Sequence, residues 1–169
     1  TTANLLFSLK YPNSENKEFI IFSEIEKKVL NDEFDAGVII HENRFTYEEK
    51  GLKKIIDLGD FWEQETKVPI PLGGIVVRKT FDASLQQRVD NLIKKSIEYA
   101  YTNYPELNDY IRENSQEMSE DVMRKHIDLY VNEYSLDLGS EGKIAVQKLV
   151  NVFAAMNGTS LDSANIFVG

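Results

Sequence analysis

The stretch Asp35-Ala36-Gly37-Val38-Ile39-Ile40-His41-Glu42-Asn43-Arg44-Phe45-Thr46-Tyr47 sets one histidine directly behind an apolar, β-favouring run. A strand buried in a parallel sheet reads as such a continuous apolar run. Open α/β sheets gather their ligands beyond the carboxyl ends of strands. His41 thus stands where that kind of fold puts a reactive group. Its side chain suits proton transfer, since an unperturbed imidazole titrates at ~6.5.

Upstream of this stretch, residues 18–22 read as a strand, and Ser23-Glu24-Ile25-Glu26 has capping-box spacing that opens a helix through Asn31. With residues 35–40 as the next strand, this is a βαβ unit with parallel strands and a right-handed crossover. Thr1 or Thr2 can cap a helix whose Leu5, Leu6 and Leu9 recur at helical spacing. Residues 12–16 are a polar loop. Downstream, residues 53–58 and 75–78 are strand candidates, residues 59–65 a short helix, and Pro69-Ile70-Pro71-Leu72-Gly73-Gly74 an extended crossing segment.

After Thr80 the pattern turns helical. Leu85, Val89, Leu92, Ile93, Ile97, Ala100 and Tyr101 mark one face of a long helix broken at Tyr104-Pro105. A shorter helix follows around residues 107–112. Ser119 can cap another, carrying Val122, Met123, Ile127, Tyr130 and Val131. A last helix starts at Gly139-Ser140, carries Ile144, Leu149, Val150 and Phe153, and ends at Asn157-Gly158. The expected organisation is an α/β lobe with its crossing strand over residues 1–79, followed by a helical segment over residues 80–169.

Composition narrows the function. The 169 residues carry a formal net charge of −9. No basic face is available to neutralise phosphates, so nucleic acid is not an expected partner. The chain has no cysteine, which removes disulfides, thiolate chemistry and cysteine-based zinc sites. No apolar run reaches the roughly 18 residues of a membrane span, so no membrane partner is expected either.

Few side chains are placed to do chemistry. His41 is either a strand-end imidazole bonded to backbone or a general base, for which a pKa near the working pH is the requirement. Glu42 is adjacent but faces the other way in an extended chain. Arg44 could clamp a carboxylate through its planar fork. Phe45 and Tyr47 could wall an apolar ligand, or simply pack. Thr1, Thr2 and Ala3 begin a helix, where free N–H groups and a partial positive charge suit an anionic ligand. A plain N-cap is the simpler reading of this stretch taken alone. The Pro/Gly run could be a hinge. His126, i+4 from Val122 and i−4 from Tyr130, reads as a packed histidine, and no metal-ligand spacing surrounds it. Glu120 and Asp121 read as a first-turn complement to the helix dipole.

The wording of the chain adds to these signals. The run from Gly37 to Tyr47, then Gly51-Leu52, Asp57-Leu58-Gly59, Trp62-Glu63 and Pro69-Ile70-Pro71-Leu72-Gly73-Gly74-Ile75, resembles the 1,4-dihydroxy-6-naphthoate synthase family of the futalosine route to menaquinone. Thr1-Thr2-Ala3, Tyr130-Val131-Asn132, Ser135-Leu136-Asp137 and Gly139 add to the likeness. The resemblance implies a type 2 periplasmic-binding-protein-like lobe, a three-layer αβα arrangement, followed by a helical segment packing on a second lobe. It implies a carbon–carbon lyase that converts cyclic dehypoxanthinyl futalosine to 1,4-dihydroxy-6-naphthoate in the cytoplasm, without metal or organic cofactor. The family's histidine base falls on His41, and its substrate contacts fall on Thr2 and Ala3, with Thr1 beside them.

The resemblance also implies an additional N-terminal segment in the family. The sequence is then expected to be a fragment with half a cleft, little activity of its own, and a tendency to homodimerise through uncovered faces. The competing readings are a non-catalytic solute-binding module of the same fold and a helical dimerisation piece.

Overall fold

Thr1 and Asp57 start two helices in the same way, each with a side-chain oxygen that accepts a backbone N–H of the first turn. Thr1 Oγ1 accepts from Asn4 N–H at 3.2 Å and opens α1, Thr2–Lys10. Asp57 Oδ1 accepts from Gly59 N–H at 2.9 Å and Asp60 N–H at 3.3 Å and opens α4, Leu58–Thr66. Such oxygens satisfy donors that the helix cannot pair internally. The computed structural model describes residues 1–41, 43–104, 106–114, 119–163 and 165–168. Between α1 and α4 lie α2, Phe22–Leu30, and the single turn α3, Asn43–Thr46. After them come α5, Ala83–Asn103; α6, Asp109–Asn114; α7, Glu120–Tyr130; α8, Glu133–Leu136; and α9, Gly139–Met156.

The expected α/β lobe is not formed. Among the described residues there is no strand, and the structure is helices joined by extended and turn segments. This overturns both the three-layer αβα lobe and the βαβ unit read from residues 18–40. The reason lies in what a strand is. An apolar run can be extended, but a sheet exists only where a neighbouring segment pairs with its N–H and C=O groups. None of the backbone hydrogen bonds outside the helices joins the segment before α2 to the segment after it. Several side chains of these runs stand in solvent (Phe19 is 77% exposed, Ile55 77%, Ile75 77% and Val76 93%), while Val38, Ile39 and Ile40 are half-buried.

Helix boundaries follow the sequence more closely. α1, α4, α5, α7 and α9 lie within a few residues of their expected positions. The break at Tyr104-Pro105 is matched by the C-cap at Tyr104, while Pro105 itself lies outside the described residues, as does Glu42. α2 begins one residue early, at Phe22, and the capping box at Ser23 does not form, since Ile21 is the N-cap. α8 was not foreseen. Its Asn132 side chain accepts from Tyr134 N–H at 3.0 Å, while Ser135 Oγ accepts the Asn132 N–H at 3.2 Å.

The core is small and built from few side chains. Trp62 on α4 is fully buried. Its Nε1 donates to the Pro69 carbonyl at 3.4 Å and so folds the Pro/Gly segment back onto α4. α1 packs on α4, with Leu6 buried and the Lys10 ammonium 4.5 Å from the centre of the Phe61 ring. α9 turns Gly142, Ala145 and Ala154 inward, and leaves Ile144 and Phe153 half open to solvent. Of the expected apolar stripe, Leu149 and Val150 are half-buried, and the fully buried positions are the small residues. α5 packs against α8 with none of its residues fully buried.

Candidate functional site

Three contacts with one helix shape the loop that carries His41. Gly37 lies so close to α2 that a Cβ there would stand 2.3 Å from Ile25 Cγ2 and 3.3 Å from Val29 Cγ2. On the far side of the loop, Lys50 Nζ reaches the buried Glu26 of α2, 2.6 Å from Oε2. Between them, the His41 ring rests against Phe22 at the start of α2, centroid to centroid 5.1 Å. Residues 35–40 thus lie against α2, whereas the expected neighbour was the strand read at residues 18–22.

His41 is exposed and has φ +57°. Left-handed backbone is uncommon outside glycine. Among the described residues two other non-glycine residues share it, Asp32 with φ +59° and Lys67 with φ +59°, and both sit just past the end of a helix. Helices often end that way. His41 ends no helix; it follows the extended residues 34–40 and comes before α3, so the local chain gives no such reason for its conformation.

The His41 ring also meets His126, from the middle of α7, with centroids 6.2 Å apart and planes at 60°. His126 in turn meets Tyr130, one turn further along α7, edge-on at 4.5 Å and 71°. The chain has only two histidines, and the fold brings both together. His126 is half-buried, as expected of a packed imidazole, but what it packs against is the candidate base. That pairing was not legible in the spacing of α7. The one available signal was the scarcity of histidine itself.

Other candidates take structural partners. The Arg44 fork grips Asp57 of the same chain, Nη2 to Oδ2 at 3.1 Å, with its guanidinium over the Phe45 ring at 5.7 Å. Tyr47 donates its hydroxyl to Glu48 at 2.9 Å, and the neighbouring carboxylate pushes the phenol's pKa up. Glu120 and Asp121 pair one turn along α7, with Arg124 and Lys125 respectively. The Pro/Gly segment is extended, and nothing crowds Gly73 or Gly74.

Thr1 is the exposed N-cap of α1, with Thr2 and Ala3 half-buried in its first turn. The contacts of α1 run to α4, and the ring contacts of His41 run to α2 and α7. The structure thus brings His41 together with His126. Among the described residues no three metal-ligating side chains converge, and no helix is long and apolar enough to cross a membrane.

Residues 1–155 match the family model described as menaquinone biosynthesis. The chain belongs to that menaquinone-biosynthesis family. It is 40% identical over 149 residues to a 1,4-dihydroxy-6-naphthoate synthase of Thermus thermophilus, covering 88% of this chain and 54% of that protein. It is 38% identical over 160 residues to the enzyme of the same name from Streptomyces coelicolor, covering 92% of this chain and 57% of that one. The chain thus spans about half the length of the curated relatives it matches. Among solved structures, protein AF1704 of Archaeoglobus fulgidus is 32% identical and superposes with a TM-score of 0.84 over 93% of this chain and 59% of its own.

Proposed function

We propose that the family member carrying this chain is a carbon–carbon lyase. It converts cyclic dehypoxanthinyl futalosine to 1,4-dihydroxy-6-naphthoate in the cytoplasm, with His41 as general base. The observation that carries this reading is the His41 backbone. An exposed imidazole sits in left-handed backbone that follows no helix. Such backbone costs free energy and collects where function requires a particular side-chain direction. The reaction named for two relatives supports the substrate class.

In this mechanism the neutral His41 imidazole accepts a proton from the substrate. The electron pair left behind becomes a new π bond as the adjacent carbon–carbon bond opens. The pair from that bond is taken up as an enolate that the His41 imidazolium reprotonates. A small sugar-derived fragment departs, and the ring that remains becomes aromatic. Aromatisation drives the step forward. The first turn of α1 supplies the grip: Thr1, Thr2 and Ala3 offer backbone N–H groups at the positive end of the helix. Thr1 Oγ1 accepts the Asn4 N–H and keeps its own O–H to donate.

His41→Asn in the intact gene product tests the reading. Turnover of the cyclic substrate should fall by ~10²–10⁴-fold while substrate affinity is retained. Unchanged turnover removes His41 from the mechanism. Saturable binding by the wild-type protein with no naphthoate formed makes it a solute-binding module instead.

A further inference from the structure

We propose that His126 is a positioning residue for His41, holding the candidate base in place from α7. The inference rests on the reading of His41 as proton acceptor and deepens it.

His41 belongs to a loop whose backbone is tied to α2 on both sides, by the close approach of Gly37 to Ile25 and by the Lys50–Glu26 pair. Its side chain is exposed and has no part in that tie. Two rings limit its rotation: Phe22 at 5.1 Å, tilted by 58°, and His126 at 6.2 Å, tilted by 60°. Phe22 belongs to the same helix that anchors the loop. His126 belongs to a different helix and is itself braced, edge-on, by Tyr130 at 4.5 Å. Tilted and edge-on ring pairs are attractive and directional. The series Tyr130, His126, His41 therefore passes the rigidity of a helix to a side chain on a loop. A proton acceptor gains from this because a misplacement of about 1 Å can cost ~10²-fold in rate.

His126 does not touch the reacting atoms in this account. It acts through His41, so its removal should lower kcat and leave KM nearly alone. His126→Ala in the intact gene product should lower kcat by about 10- to 100-fold with KM within about twofold. His126→Phe restores a flat ring and should recover most of the loss, because the bracing is by ring packing.

The imidazole C–H resonance of His41, observed by NMR without substrate, gives a readout independent of activity. It should shift in His126→Ala, and shift less in the milder Tyr130→Leu, which keeps His126 but removes its brace. An unmoved His41 resonance in both variants overturns the proposal. So does an unchanged kcat in His126→Ala, or a His126→Phe variant as slow as His126→Ala. Full activity in His41→Asn together with a shifted His41 resonance in His126→Ala fails the base reading alone, and separates it from the ring contact.

Discussion

Arg44 and Asp57 meet with Nη2 3.1 Å from Oδ2, joining the turn behind His41 to the first turn of α4. Asp57 has two duties there, because its other oxygen caps α4 through Gly59 and Asp60. The two duties differ in strength. A lost N-cap costs about 0.5–2 kcal/mol, whereas a partly exposed ion pair contributes about 0–1 kcal/mol. Asp57→Ala should therefore lower the urea midpoint more than Arg44→Met does. Asp57→Asn, which keeps the cap, should fall near Arg44→Met. Equal losses in Asp57→Ala and Arg44→Met contradict this ordering.

Gly37 is required by contact with α2 rather than by its backbone angle. A methyl group at this position meets Ile25 Cγ2 at 2.3 Å, a branch that cannot swing away freely. Gly37→Ala should destabilise by about 1–3 kcal/mol, the usual cost of overpacking. Ile25→Ala in the same chain should return much of that loss, measured as a double-mutant cycle in chemical denaturation. Additive losses would place the strain elsewhere.

Trp62 is the single tryptophan and is fully buried, so its fluorescence reports the α1–α4 core directly. Its emission should lie well to the blue of free indole and move red in one step with urea. Trp62→Ala should cost about 3–5 kcal/mol. Trp62→Phe should cost less, and part of its cost comes from the Pro69 carbonyl, which loses its indole donor.

Thr1 offers a way to separate capping from ligand contact. Thr1→Asp retains a cap oxygen and adds negative charge beside the helix start. It should leave thermal stability near wild type and raise KM for an anionic substrate. Thr1→Ala should lower stability slightly through loss of the bond from Asn4. A KM indifferent to both changes leaves Thr1 as a cap only.

Acid should loosen the junction of α6 and α7. The Glu120 carboxyl is held below the usual carboxylate range by Arg124 first and Arg112 second. A lowered folded value means stability that is present above the ordinary glutamate value, ~4.3, and is lost as pH falls through the folded one. The denaturation midpoint of the wild-type chain should therefore fall more steeply with acid below that value than the midpoint of Glu120→Gln. Parallel curves would show that the pair contributes nothing to folding.

Several helices could be read from the chain alone. Thr1 is one of the two threonines expected to cap α1, Leu6 of its apolar repeat is buried, and α5 stops where Tyr104-Pro105 stands; Asp57, which falls in an expected strand, instead caps α4. A helix closes its hydrogen bonds between residues four apart, so its signals lie within a short window. The extended runs were misread because β propensity describes a surface suited to pairing and does not supply the partner. α9 differs in part because its buried positions are Gly142, Ala145 and Ala154, with Gly142 lying under Leu138 and Tyr134.

From composition and order of residues came the positions of most helices, the His41 loop behind its apolar run, and the kinship of the chain. Only the folded arrangement decided that residues 35–40 lie along α2 without a sheet, that Arg44 answers to Asp57, and that His126 faces His41. Each of those is a meeting of segments distant along the chain or a pairing between competing partners. Such meetings depend on which surfaces bury together, and no local spacing encodes that choice.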